Sequence, residues 1–277
     1  MSVDPQLRRL DIDIPSQPEA LVRLSLLLAE EELNLQAIAQ LIEGDMALAA
    51  AVLKAVNSSL YGLKGRVQTV QQAITYLGLR EVGAITFEMG LRAAFAPAVE
   101  LEPLWVRAAR RGVVMGRLGQ RLSLDAWAAH SAGLFEECGK AVLFRHAPDH
   151  YRSMLRAAGT DVDLVSLERT GFGVSHDALG AALCESWGLA ATAVASVRHH
   201  VQAQATLRLP EELQRPSVLA LSVIAHALIQ SPATLDAVTA EIAPQADIDP
   251  VLALRSARQV QAELDEAFAH GRELRQP

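Results

Sequence analysis

Apolar residues recur every three or four positions along most of the chain, the spacing of one buried face of a helix. Nowhere do apolar and polar residues alternate over the length of a strand. The first stripe is Leu21, Leu24, Leu27 and Leu28, after an Ile14-Pro15-Ser16-Gln17-Pro18 segment that proline keeps extended. Asn34 and Asp45 are placed to cap two short helices ending near Ile42 and Asn57, with Gly44 between them. Thr69 caps a helix through Leu77, Gly78 stops it, and another runs to about Phe95. Pro103 opens a long helix to Leu122, Asp125 caps one through about Arg145, and Pro148 opens a short one. Further helices are predicted around 163–170, 175–187, 190–201, 216–230, 233–242 and 250–270. The expected fold is all-α: a helical bundle with no significant sheet.

Composition sharpens this picture. The 277 residues allow one or two domains, and with 51% hydrophobic and 21% charged residues they can bury a core unaided. Alanine and leucine dominate the apolar set, which favours helices over strands. The net charge of −7 argues against a uniformly basic nucleic-acid surface. Two cysteines, Cys138 and Cys184, make neither a disulfide framework nor a zinc knuckle, and fit a reducing compartment. The N-terminus lacks the apolar core of a signal peptide, and the longest uncharged run, 216–235, is too short and polar to span a bilayer. A cytoplasmic location without a membrane association is expected.

Phosphate-binding loops, Gly-x-Ser-x-Gly, His-Glu-x-x-His and Cys-x-x-Cys are all absent. His146 and His150 have the spacing of a helical metal pair, but Pro148 between them breaks such a helix. Arg107, Arg110, Arg111, Arg117 and Arg121 fall within an arc of about 120° on one helix. They form either a solvated face or a stripe that binds an acidic partner or phosphate. The last helix carries Leu254, Ala257, Leu264 and Phe268 on one face, which packs on the body or meets a partner.

Asp45-Met46-Ala47-Leu48 followed by Val56-Asn57-Ser58-Ser59-Leu60-Tyr61-Gly62 resembles the N-terminal signature of the HDOD family, the HD-related output domains. Val70-Gln71-Gln72-Ala73-Ile74-Thr75-Tyr76-Leu77-Gly78 fits the family's next segment. Gly133-Leu134-Phe135-Glu136-Glu137-Cys138-Gly139-Lys140 lies where the parent HD phosphohydrolases carry Gly-Leu-Leu-His-Asp-Ile-Gly-Lys. Gly171-Phe172, His176, Gly180, Trp187-Gly188-Leu189 and Arg198-His199-His200 follow in order, so the resemblance covers about residues 14–200. The signature residues it marks are Asn57, Tyr61, Gly62, Gly139, Lys140 and His176.

HD phosphohydrolases hold metal with a His, an adjacent His-Asp pair and a later Asp. By the resemblance those positions here are Arg107, Glu136 with Glu137, and His226. No ligand type is kept at its position, and Arg107 would repel a cation. Two carboxylates could still take a hard cation, but on a continuous helix adjacent residues point about 100° apart. The competing expectation is ion pairing, with Lys140 and Arg107 as partners. His176 is expected to be a hydrogen-bonded structural histidine and Asn57 a backbone cap.

The resemblance implies a non-enzymatic bacterial signal-transduction output protein that needs no cofactor or metal. It would act on a signalling protein partner, or on a small ligand such as a nucleotide. The alternatives are a divergent metal-dependent phosphohydrolase using Glu136, Glu137 and His176, or a nucleotide sensor without catalysis. The expected organisation is a loose segment 1–13, a helical bundle 14–100, a degenerate HD-like bundle 101–210, and a helical extension 211–277.

Overall fold

The computed structural model describes residues 12–28, 34–58 and 67–273. Among them the ordered elements are helices and short helical turns, with no strand. They are α1 (Glu19–Leu28), α2 (Leu35–Glu43), α3 (Met46–Val56), α4 (Val70–Leu77), α5 (Leu79–Ala93), α6 (Glu102–Arg121), α7 (Ala126–Phe135), α8 (Cys138–His146), α9 (Pro148–Ala157), α10 (Asp161–Phe172), α11 (His176–Ser186), α12 (Ala191–Thr206), α13 (Ser217–Gln230), α14 (Leu235–Ile242) and α15 (Pro250–Glu273). No single helix among the described residues is long and apolar enough to cross a membrane. The chain divides into two compact units, 16–94 with 261–277, and 1–15 with 95–260.

The unit built around residues 16–94 is a small bundle of α1 to α5. The capping residues do what the sequence predicts. Asn34 accepts from the Ala37 amide at 2.9 Å, and Asp45 accepts from Ala47 and Leu48. Thr69 accepts from Gln72 at 3.1 Å. Each cap satisfies amides that have no carbonyl partner within their own helix. Leu21, Leu24, Ile38, Ile42, Val52, Val56, Ala73 and Val82 form the core. Gly78, at φ +82°, takes the turn between α4 and α5. Asn57 donates to Leu53 O at 2.9 Å and to Val67 O at 2.8 Å, and accepts from Val67 N. Its amide thus ties the end of α3 to Val67, ten residues beyond Asn57. Tyr61 and Gly62 lie outside the described residues.

In the unit around 95–260, α7 lies along α6, and α12 packs against α7, α11 and α13. Small residues let α6 and α7 approach: a Cβ at Gly133 would stand 2.8 Å from Arg111 O. Helices α13 and α14, which fall within the 211–277 stretch, pack inside this same unit. Residues 13–15 are tied down, with the Trp187 indole donating to Pro15 O at 2.9 Å and Arg145 pairing with Asp13. The buried residues of α15 are Ala253, Ser256, Ala257, Val260 and Leu264. Leu254 is only half-buried, so the inward face is rotated from the one predicted. Alanine and serine supply three of its five positions, which a search for large apolar residues overlooks. The side chain of Phe268 lies outside what the structure describes.

One element differs from expectation. The helix predicted from Asp125 to Arg145 is two helices, α7 and α8, broken at Glu136–Glu137. No glycine or proline marks the break. It frees the two carboxylates to reach different neighbours.

Candidate functional site

The Glu pair lies deep in the larger unit, with Glu136 1% and Glu137 3% exposed. Glu136 turns toward α12 and α13. It accepts from the Ser222 hydroxyl at 2.6 Å and the Gln204 amide at 2.7 Å, and faces the Arg111 Nε at 3.2 Å. Glu137 turns the other way. Arg107 Nε donates to it at 3.0 Å and Lys140 Nζ at 2.7 Å, while Arg111 Nη1 stands at 3.5 Å. Lys140 donates onward to Asp161 at 2.8 Å. Three cations therefore meet three carboxylates.

These contacts set the ionisation states. Burial alone would raise the Glu137 pKa, but Lys140, Arg111 and Arg107 outweigh it and hold the carboxyl well below its usual range. Burial would likewise lower Lys140, yet Glu137 and Asp161 raise it. The same contest raises Arg111, through Glu136 and Glu137. Burial works on Asp161 in the raising direction, and Lys140 reverses it, leaving that carboxyl lowered. All four groups stay charged at neutral pH.

A second buried cluster lies alongside. Glu168, fully enclosed, accepts from the Tyr151 hydroxyl at 2.6 Å, the His176 amide at 2.8 Å, and His176 Nδ1 at 2.8 Å. Burial and then Glu168 push the Tyr151 hydroxyl well up, so it stays a donor. His176 packs on His200 at 5.6 Å between ring centres, and His200 Nδ1 donates to Val197 O. Burial lowers the pKa of His200, which stays neutral. His176 is thus held by Glu168, a partner that spacing did not reveal.

Arg107, Lys140 and His226 line one cavity of about 530 Å³, together with Tyr151, Asp161 and Gln204. Burial lowers His226, so it is neutral there. The four positions assigned from the HD pattern therefore do converge around this region. The arginine stripe is only partly a surface. Arg111 is 2% exposed and belongs to the Glu pair, because the α6 arc that carries it turns inward onto α7. Arg110 and Arg117 are half-buried, and only Arg121 is exposed, donating to Gln259. His146 and His150 are exposed and set their edges against Phe172, in separate helices as Pro148 requires.

The residues present do not fit the metal that the HD fold implies. Each Glu137 oxygen already faces a cation, and both Glu136 oxygens accept hydrogen bonds beside Arg111. A divalent ion would have to displace or face Arg107, Arg111 and Lys140. Among the described residues no group of three or more His, Cys, Asp or Glu is arranged to hold a metal. Arg111 was expected only as part of the arginine stripe, and Asp161, Gln204, Ser222 and Glu168 were not singled out as site residues by the sequence. They come from helices distant in sequence, and no local spacing announces them.

Comparison with known proteins agrees with this architecture. A solved protein from Shewanella amazonensis, provisionally named a phosphohydrolase, superimposes with TM-score 0.71 at 19% identity, covering 96% of this chain and 97% of that one. A provisionally named signal transduction protein from Marinobacter aquaeolei gives TM-score 0.73 at 21% identity, over 96% of this chain and 63% of that one. An HDOD domain protein of unknown function from Geobacter sulfurreducens gives 0.65 at 20% identity, over 95% of each chain. A curated but uncharacterised protein of Treponema pallidum is 28% identical over 192 residues, 68% of this chain and 37% of that protein. The chain thus spans little more than a third of the length of that relative. The HDOD domain matches residues 14–203, across both the Asn57 signature and the Glu136–Lys140 segment, and the chain belongs to the HDOD domain family.

Proposed function

We propose that this protein is a non-catalytic signal-transduction module that acts by binding, through the larger helical unit and its cavity. The observation that carries this reading is the closed charge cluster where HD enzymes keep metal ligands. Glu137 is saturated by Arg107, Lys140 and Arg111, and Glu136 by Ser222, Gln204 and Arg111. A metal-activated water needs an open coordination position and a ligand set free of competing cations. This cluster supplies neither. The likeness in fold to a provisionally named signal transduction protein supports the same direction. The partner in this reading is a signalling protein of acidic surface, with Arg121 at the exposed end of α6 as the residue to examine first.

The test is hydrolysis of bis(p-nitrophenyl) phosphate by purified protein supplied in turn with Mn²⁺, Fe²⁺ and Mg²⁺. No turnover above the metal-only blank is expected. Turnover that is abolished in Glu137→Ala would establish the divergent phosphohydrolase instead.

A further inference from the structure

The cavity on the larger unit has a charge pattern that selects among ligands. Arg107, Glu137, Lys140 and Asp161 form one chain of ion pairs. Its middle members are buried, with side chains 4% and 6% exposed, whereas the ends, Arg107 and Asp161, are 39% and 35% exposed. Both ends line the cavity. Arg107 spends Nε and Nη2 on Glu137, and Asp161 spends Oδ1 on Lys140. Nη1 of the one and Oδ2 of the other keep their hydrogen-bonding capacity. The cavity is thus lined by two cations, Arg107 and Lys140, and one anion, Asp161; Lys140 is already bonded to Glu137 and Asp161, which leaves Arg107 and Asp161 as the exposed ends.

The surrounding cluster has no surplus positive charge, since Arg107, Arg111 and Lys140 are matched by Glu136, Glu137 and Asp161. A phosphorylated ligand would bring its negative charges beside Asp161 without a spare cation to meet them. Leu101, Leu104, Leu155 and Val162 give the wall an apolar stretch, of which the last two stay 36% and 43% exposed, beside the polar Thr160, Gln204 and Gln230. His226 adds a neutral imidazole. The volume lies within the range of about 300–1,000 Å³ usual for small-ligand sites.

We propose that this cavity binds a short zwitterionic peptide, of two or three residues with apolar side chains, its carboxylate on Arg107 and its ammonium on Asp161. A cavity of about 530 Å³ has room for two or three residues. The planar guanidinium suits a carboxylate, and the leucine and valine wall suits aliphatic side chains. This names a ligand for the binding role proposed above and rests on that reading.

The test is calorimetric titration of the full chain with leucyl-leucine, its N-acetylated form, its C-terminal amide, and guanosine 5′-monophosphate. Leucyl-leucine should bind, and blocking either end should weaken it roughly tenfold or more. In Arg107→Gln the free and amidated peptides should bind alike. In Asp161→Asn the free and acetylated peptides should bind alike, with circular dichroism showing that both variants fold. No heat of binding up to about 10 mM peptide, indifference to end-blocking, or tighter binding of the nucleotide would overturn the inference. Those failures are separate from the phosphodiester assay, which judges the non-catalytic reading whatever the cavity holds.

Discussion

Arg111 has no route to water, and its guanidinium faces Glu136 at 3.2 Å and Glu137 at 3.5 Å. Removing it leaves two buried carboxylates short of a counter-charge, so Arg111→Met should cost about 3–5 kcal/mol in urea denaturation. Wild-type stability in that variant would mean the cluster is solvated. Glu136→Gln should be milder, because a neutral amide needs less compensation. Two carboxylates give opposite pH signatures. Glu137 is held below its usual range, so its contribution is complete above the unfolded carboxylate pKa of about 4.3 and is lost as pH falls below it. Glu88, in the smaller unit, is raised from 4.5 to about 7, by burial against the opposing pull of Arg92. Between those values the folded state holds a proton that the unfolded state has released. Stability should therefore fall as pH rises from 4.5 to 7, by on the order of 3 kcal/mol. Glu88→Gln should flatten that slope in melting curves taken across the interval, and an unchanged slope would exclude Glu88 as its source.

At the scale of the element, Gly139 shows how a family residue works physically. A Cβ there would stand 1.9 Å from His176 O and 2.8 Å from Gly180 N, both backbone atoms that cannot swing aside. Gly139→Ala should force α8 from α11 and cost about 3 kcal/mol or more, read as a lowered denaturation midpoint. A change of only a few tenths would show that the helices yield. Asn57→Ala, which loses the bonds to Leu53 and Val67, should cost about 1–2 kcal/mol by the same measurement. Boundaries set by local chemistry were legible in the sequence: Asn34, Asp45 and Thr69 cap where they stand, and Pro148 separates α8 from α9. The break at Glu136–Glu137 was not, because tertiary partners impose it. Glu136 is drawn to α12 and α13, and Glu137 to α6 and Lys140, two directions that an unbroken helix could not serve.

For the whole molecule, helical periodicity and the collinear motifs were enough to reach the all-α HDOD architecture. The residues that the resemblance aligns with HD metal positions, Arg107, the Glu pair and His226, lie in one region of the larger unit. What remained hidden was which arginines face inward. The α6 arc reads the same from sequence whether water or α7 covers it, and only packing puts Arg111 against Glu136 and leaves Arg121 outside. Asp161 and Ser222 were hidden for a related reason, as each enters the cluster from a helix of its own. On the reading proposed above, an internally neutralised charge cluster stands where the resemblance puts a metal centre. Elemental analysis of untagged protein, expressed in medium supplemented with iron, manganese and zinc, tests it most directly. Metal far below one ion per chain, unchanged in Glu137→Gln, is the expected result; one or more tightly held ions per chain, lost in that variant, would overturn the reading.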